Sequence, residues 1–466
     1  MTRTLISAGL VAAFGLSGNA FAQAISPADA AAAPTQIFLS GATAPATIVR
    51  NVVKATMCPN GFAEFNNSTR FYAIACNSSV TGGNAVFYYT SLGSNFGVQP
   101  VLYNGTGVAT PKLKVSSCAN QSSATNQSCT GITTAAESTI PDVGVSDIAP
   151  SGFVGANVPT AAALDREFNS TFGGNFASYS ALYSALQQDA TVSESNQITP
   201  INGVVFNVAM SNTLATALGG TANSIPLGIG STQSLPSTVI RAIMRGDFAT
   251  GEAALSALGI NPSTVSTATK FAVCTRPATS GTKAWANLFF LGGDAPKAEN
   301  AVVGTLGAWK GNTTATASTT RSIAFVDNLG SSDVRTCLTQ ASTQGIPAIG
   351  IISVESSNKP SGSNNYAFGR IDGVYPDNAA ADDRINVRSG LYTYVGEATF
   401  NQRSALADEP QSIVTAITDA LNSSTVCTSP GSVTLPDGTS GNATGCEIRW
   451  TRGGIPTNRA YNVTGE

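Results

Sequence analysis

The sequence predicts an α/β fold, because short apolar strands are followed by glycine turns and by segments with helical spacing. Residues 36–39 have the composition of a strand, and after the turn at Gly41 the apolar residues of 48–53 recur at helical intervals. A second strand-like run, Val86–Tyr89, enters a Gly-Ser turn at residues 93–94. Strands that alternate with helices in this way are typical of chains that pack helices on a sheet.

Further elements continue the pattern to the end of the chain. They are a strand ending in Ser-Asp at Pro141–Ile148, a buried strand at Ile201–Met210, a helix at Leu235–Phe248, a strand at Ile346–Ser353, a return strand at Ser389–Val395 and an amphipathic helix at Ile413–Leu421. A hairpin-like segment follows the last helix. Residues 104–138, which are rich in Ser, Thr and Asn, are expected to form a surface insertion closed by a disulfide.

Residues 274–290 are predicted to begin as a loop and to end as a helix. Pro277 and Gly281 keep the first part irregular, whereas the apolar residues that follow recur on one helical face. Ser280 and Thr282 therefore lie at a helix N-terminus. There the first backbone amides have no partner within the helix, and the helix dipole favours negative charge.

Arg276 adds a guanidinium to this helix start, so that two hydroxyls, free amides and one cation can converge on a tetrahedral oxyanion. Each residue alone has a simpler explanation. A Ser or Thr at this position is commonly a helix cap, and a single Arg is commonly a solvated ion pair.

The order Arg276-x-x-x-Ser280-Gly281-Thr282, followed by an aromatic helix, resembles the anion loop of the phosphate-binding proteins of ABC importers, which are type II periplasmic binding proteins. Three other segments resemble the remaining anion-binding segments of that family, in the family's order. They are Gly41-Ala42-Thr43-Ala44, the turn at Gly93-Ser94, and the strand end Ser146-Asp147. Taken singly, each of these three is also explained as an ordinary turn or cap.

The resemblance implies a set of phosphate ligands and a fold. The implied ligands are Thr43, Ala44, Ser94, Asp147, Arg276, Ser280, Gly281 and Thr282. The implied fold has two α/β lobes, with mixed sheets flanked by helices and a ligand cleft between the lobes. Residues 23–205 and 389–466 would form lobe one and residues 206–388 lobe two, and closure of the lobes would be the signal to a permease.

Residues 1–22 have the pattern of a signal peptide. Arg3 precedes an apolar run at Leu5–Leu16, and Ala20-Phe21-Ala22 forms a cleavage signal, so the mature chain is expected to begin at Gln23. The apolar run is shorter than the approximately 20 residues of a transmembrane helix. The expected location is periplasmic or extracellular, without membrane insertion.

The eight cysteines agree with export, since an even number in an oxidising compartment favours disulfides. The sequence does not choose among the many pairings that eight cysteines allow. Spacing favours neighbours in the chain. The favoured pairs are Cys58 with Cys76, Cys118 with Cys129, Cys274 with Cys337, and Cys427 with Cys446.

Composition excludes several classes of function. Charged residues make up 11% of the chain, against about 25% in an ordinary soluble domain, and no run of Lys or Arg predicts a nucleic-acid partner. The chain contains no histidine, which excludes Ser-His-Asp and Cys-His catalysis. Ser280-x-x-Lys283 matches a motif of penicillin-recognising enzymes, but the Ser-Asp-Asn and Lys-Thr-Gly motifs that accompany it are missing.

The sequence thus favours an exported, non-enzymatic solute-binding protein that captures phosphate for an ABC importer. The expected partners are inorganic phosphate and an ABC permease, and the expected state is a monomer with no cofactor and no metal. The alternative is a secreted or surface protein of the same fold with an adhesion, matrix or appendage role, which the polar insertions and the low charge also fit.

Overall fold

The computed structural model describes residues 25–67, 70–102, 109–119, 126–153, 157, 198–267, 270–293, 323–354, 359–360, 364–379, 384–402, 406, 408–422, 433–434 and 440–441. The predicted signal peptide of residues 1–22 and the predicted Cys427–Cys446 pair lie outside the described residues.

The described chain is a mixed α/β structure in which helices flank one large mixed sheet. The strands are β1 (Thr35–Gly41), β2 (Ala63–Asn67), β3 (Phe71–Asn77), β4 (Asn84–Ser91), β5 (Asn126–Ser128), β6 (Val143–Ser146), β7 (Ile198–Ser211), β8 (Ser234–Leu235), β9 (Phe271–Thr275), β10 (Ile323–Asp327), β11 (Ala348–Ser353), β12 (Tyr366–Phe368), β13 (Arg370–Ile371), β14 (Val395–Gln402), β15 (Val433–Thr434) and β16 (Ser440–Gly441). Within the described residues the large sheet has the order β10-β9-β11-β7-β14-β6-β1-β4-β3-β2-β5, and β12 also pairs with β7.

Short α-helices connect these strands and cover the sheet. They are α1 (Pro27–Ala31), α2 (Ala46–Val52), α3 (Gln99–Leu102), α4 (Asn212–Ala217), α5 (Ser237–Arg245), α6 (Gly251–Ala257), α7 (Gly281–Leu291), α8 (Ser331–Thr343), α9 (Ile385–Arg388) and α10 (Asp408–Asn422). The predicted helix at Leu235–Phe248 corresponds to α5, which ends at Gly246 in the left-handed conformation that glycine favours. No described helix has the length and apolar composition that crossing a bilayer requires.

Strand direction divides the parallel strands into two groups. In the first strand group, β4 and β6 both run parallel to β1. In the second strand group, β10 and β11 both run parallel to β9. The strand β7 is antiparallel to β14 along Ile198–Val205 and antiparallel to β11 along Phe206–Met210. Because β14 is also antiparallel to β6, the two groups run in opposite directions and both direct their carboxyl ends toward the middle of β7.

Alternating side chains give the first half of the sheet an apolar layer on each face. Along β1, Ile37 and Leu39 join the main core, whereas Phe38 points to the opposite face, where it packs with Phe65 and Tyr88. Each such side chain contributes about 1.5–3 kcal/mol when it is fully buried. The two layers hold the carboxyl ends of these strands in fixed positions.

Two sequence predictions are corrected by the structure. The return strand is β14, which begins at Val395, whereas residues 389–394 form a turn that contains Gly390 at φ +75°. Their alternating aromatic pattern arises because Tyr392 and Tyr394 enter the core from this turn. The predicted surface insertion is also partly internal, since Leu113 is buried and β5 pairs with β2 at the edge of the sheet.

Three of the predicted disulfides are confirmed. Cys58 pairs with Cys76, Cys118 pairs with Cys129, and Cys274 pairs with Cys337. The last pair joins β9 to α8 in the second strand group. The helix predicted at Ile413–Leu421 is α10, and the hairpin-like segment after it contains the antiparallel pair β15 and β16.

Candidate anion site

The first strand group brings three predicted segments to one edge of the sheet. Gly41, the last residue of β1, pairs with Ser91 of β4 on one side and with Val145 of β6 on the other. The loops that carry Thr43, Ser94 and Asp147 therefore leave the sheet side by side. Carboxyl ends of parallel strands are a common place for ligands in α/β proteins.

Close backbone packing at this edge requires glycine. Gly41 has φ +130°, and a Cβ there would lie 2.0 Å from the carbonyl oxygen of Val145. After β4 the chain forms a 3₁₀ turn, Ser94–Gly97. The Ser40 hydroxyl donates to Phe96 O at 2.8 Å, and Asn401 Nδ2 donates to Gly97 O at 2.8 Å. The turn that carries Ser94 is thus held from two strands.

Asp147 contacts predicted site residues from both strand groups. Its backbone amide donates to Ser94 Oγ at 3.2 Å, and its carboxylate Oδ2 accepts from Thr282 Oγ1 at 3.3 Å. The side chain is 2% exposed. Burial raises the pKa of Asp147 to about 6, and this effect outweighs the opposing effect of the nearby Arg276 charge.

Gly281, the first residue of α7, lies directly against the loop of the first strand group. A Cβ at this position would lie 2.3 Å from Ser94 Oγ and 3.1 Å from the Cβ of Asp147. Next to this contact, the Asn95 amide donates to Thr279 O at 3.0 Å. A side chain larger than hydrogen at residue 281 would force Ser94 or the start of α7 to shift.

The N-terminus of α7 has an unused hydroxyl. Ser280 lies at the helix N-terminus, as predicted. It occupies the N-cap with extended backbone, but its side chain makes no capping hydrogen bond. Its hydroxyl and that of Thr279 are buried and find no hydrogen-bond partner among the described residues. A capping serine ordinarily accepts from an amide of the first turn, so this helix start retains hydrogen-bonding capacity for a ligand.

Arg276 lies between the end of β9 and the start of α7 and is 3% exposed. Its guanidinium donates from Nη1 to Ser331 Oγ at 3.3 Å and from Nη2 to Leu329 O at 3.1 Å. These bonds direct the guanidinium toward the turn before α8. The charge remains close enough to Asp147 to lower the pKa of that carboxyl, in opposition to burial.

Thr43 and Ala44 lie on the same edge but are not joined to this cluster. They precede α2, where Thr43 O accepts from the Ala46 amide at 3.4 Å. Within the described part of the chain, no hydrogen bond links either residue to Ser94, to Asp147 or to residues 280–282. The structure thus brings Ser94, Asp147, Gly281 and Thr282 into contact, with Ser280 and Arg276 beside them.

One solved structure with some similarity to this chain is a phosphate receptor. It is an ABC-type phosphate transport receptor from Vibrio cholerae, 14% identical to this chain, with a TM-score of 0.30. The similarity covers 57% of this chain and 92% of the receptor. No protein-family model matches this chain, and no curated protein matches it.

Sequence reasoning missed the residues that join the two strand groups through their backbones. Thr279 and Asn95 form such a bond, and a Cβ on Gly93 would lie 2.5 Å from Thr279 O. It also missed Ser331, which accepts from Arg276. The available signal was the run Gly330-Ser-Ser-Asp, which has the pattern of a helix start.

Proposed function

We propose that this protein is an exported solute-binding protein that captures inorganic phosphate between two α/β lobes and delivers it to an ABC importer. The supporting observation is the contact of Asp147 and Ser94, from the first strand group, with Gly281 and Thr282 at the start of α7. This junction combines a helix N-terminus, buried hydroxyls and a guanidinium, which together suit a small oxyanion.

The exchange of partners along β7 supports the lobe boundaries. The strand pairs with β14 up to Val205 and with β11 from Phe206 onward, which coincides with the boundary expected at residues 205 and 206. Lobe one would comprise residues 23–205 and 389–466, and lobe two residues 206–388. In this proposal both strand groups direct their carboxyl ends into the cleft between the lobes.

The carboxyl of Asp147 gives the choice of anion. An ionised carboxylate only accepts hydrogen bonds, so it repels an anion that has no proton to donate. Hydrogen phosphate carries such a proton at neutral pH and sulfate does not. The Thr282 hydroxyl now donates a hydrogen bond to Asp147. When phosphate binds, this hydroxyl would donate to phosphate instead, and the phosphate O–H would donate to Asp147. Bound sulfate would leave its own charge in contact with that of Asp147. This repulsion would lower the affinity for sulfate and so select for phosphate.

The remaining predicted ligands would surround the other oxygens. Arg276 would donate to one of them after leaving Leu329 O or Ser331 Oγ, and Ser280 would donate its unused hydroxyl. Thr43 and Ala44 would bind from the loop after β1, on the same edge of the sheet. The Asn95–Thr279 backbone bond would then help to hold the closed form that a permease recognises.

Calorimetry with phosphate, sulfate and arsenate on the mature chain, with its disulfides intact, tests the proposal. We expect phosphate and arsenate to bind and sulfate to bind at least tenfold more weakly. Arg276→Ala should lower phosphate affinity by two or more orders of magnitude, since charge-assisted bonds contribute about 1.5–3 kcal/mol each. The control is Arg241→Ala, which removes an exposed guanidinium on α5. No binding of any oxyanion by the folded protein would contradict the proposal.

A further inference from the structure

A small cavity lies beneath α7, beside the candidate anion site. It has a volume of about 30 Å³ and opens between α7, α5 and the strands β9 and β11. This is larger than the roughly 10–15 Å³ that one water requires, so the space accommodates one or two small groups. Arg276 and Thr282, two of the predicted anion ligands, form part of its wall.

Most of the other residues that line the cavity are apolar, apart from Thr275 and Lys283. Val273, Ile349 and Ala286 line it and are 5%, 1% and 1% exposed. A phosphate oxygen placed against these side chains would lose its hydrogen bonds to water without replacing them. An alkyl group placed there would instead be removed from water, which is favourable. The cavity therefore places apolar side chains next to two of the predicted anion ligands.

We propose that the anion site also binds alkylphosphonates with one or two carbons, with the alkyl group in this cavity. The inference rests on the proposed function, because Arg276 and Thr282 hold the oxyanion in both cases. A phosphonate has three oxygens for the donors at the start of α7, and its protonated form supplies the proton that Asp147 accepts. The carbon replaces one oxygen and would direct the alkyl group toward Val273 and Ile349.

Calorimetry with inorganic phosphate, methylphosphonate, ethylphosphonate and phenylphosphonate tests the inference. We expect methylphosphonate and ethylphosphonate to bind within about tenfold of phosphate, because burial of each carbon offsets the lost oxygen contacts by roughly fourfold. Phenylphosphonate should bind at least 100-fold more weakly than ethylphosphonate, since its ring exceeds the cavity. Phosphate binding with methylphosphonate more than 100-fold weaker would overturn this inference and leave the proposed function intact. No binding of any of these anions would overturn both.

Two variants change the cavity in opposite directions. Ala286→Val narrows it and should weaken ethylphosphonate binding at least tenfold while phosphate affinity stays within about twofold. Ile351→Val widens it and should improve ethylphosphonate relative to methylphosphonate, which gives a test even if Ala286→Val does not fold. Ala253→Val on the exposed face of α6 is the matched control. Equal losses for phosphate and ethylphosphonate in Ala286→Val, or no change of the ratio in Ile351→Val, would contradict this placement of the alkyl group.

Discussion

The helices α7 and α8, which follow strands β9 and β10, begin in different ways. At the start of α8, Asp333 lies in the first turn and its carboxylate accepts from the Gly330 amide at 3.1 Å. At the start of α7, the first turn holds no acidic residue and the N-cap Ser280 makes no capping bond. The free amide and the positive dipole at the start of α8 are thus satisfied within the same turn, by a carboxylate three residues away.

The carboxyl that reaches α7 comes from a distant part of the chain. Asp147 follows β6 in the first strand group and accepts from Thr282 at 3.3 Å. The comparison of α7 with α8 shows that a helix N-terminus becomes a candidate ligand site when the carboxylate next to it comes from another secondary-structure element. Separation of the two elements then leaves the donors of α7 available to an exogenous anion.

Adding a methyl group at the start of each helix should give the largest difference in phosphate binding between the two sites. Gly281→Ala places a Cβ 2.3 Å from Ser94 Oγ and should abolish phosphate binding, because Ser94 can no longer lie against the start of α7. Gly330→Ala is the matched change at α8, where the nearest atom to a Cβ lies at 3.6 Å, and it should retain binding. Calorimetry on both variants, with circular dichroism as a check of folding, measures the contrast. Retained affinity in Gly281→Ala would show that the junction does not form the site.

The Cys274–Cys337 disulfide joins β9, the strand that leads into the anion loop, to the middle of α8. Replacing Cys274 and Cys337 by Ser removes a link across a sequence separation of 63 residues, which contributes about 4 kcal/mol to the free energy of unfolding in the loop-entropy model. Because Cys274 lies two residues before Arg276, we expect weaker phosphate binding as well.

The double replacement of Cys118 and Cys129 is the control for this prediction. That disulfide closes a separation of 11 residues next to β5, at the edge of the sheet and away from the junction. It should lower the free energy of unfolding by about 3 kcal/mol without changing phosphate affinity. Urea unfolding and calorimetry on both variants separate the two effects. A Cys274 and Cys337 variant with full affinity would show that the disulfide has no influence on the anion loop.

Local features of the site were predictable from the sequence and distant contacts were not. The helix start at Ser280 follows from Pro277, Gly281 and the apolar spacing beyond them, which act within a few residues. The turn of residues 389–394 was mistaken for a strand, because buried aromatic residues in a turn give the same alternation. The contact between Gly281 and Ser94 depends on strand order and direction, which no local pattern specifies.

The buried carboxyl of Asp147 should make the stability of the protein depend on pH. Its pKa is about 6 in the folded protein and 3.8 in its ordinary state, so the folded protein holds the proton more tightly. This tighter proton binding contributes fully to the free energy of unfolding below pH 3.8, and the contribution is lost as the pH rises through 6. The free energy of unfolding should therefore fall by up to about 3 kcal/mol between pH 4 and pH 7 from this group alone.

Asp147→Asn removes this titration, so its stability relative to the wild type should increase from pH 4 to pH 7. Urea unfolding of both proteins at the two pH values measures the change. The Gly330→Ala variant keeps the carboxyl, and its difference from the wild type should stay constant with pH. A constant difference for Asp147→Asn as well would mean that this carboxyl is not buried in solution.

The smallest expected effect, and the most specific, is on the choice between two anions. Asp147→Asn supplies an amide donor and removes the charge that is proposed to repel sulfate. The ratio of phosphate affinity to sulfate affinity should therefore fall at least tenfold, or about 1.4 kcal/mol. Asp333→Asn changes the equivalent charge at α8, where the carboxylate serves its own turn, and should leave the ratio unchanged. Both anions are measured on all three proteins in one buffer at pH 7.5. Because a loss of fold lowers both affinities together, only the ratio reports the contact. If it stays constant in Asp147→Asn, Asp147 does not face the anion, and the preference for phosphate has another origin.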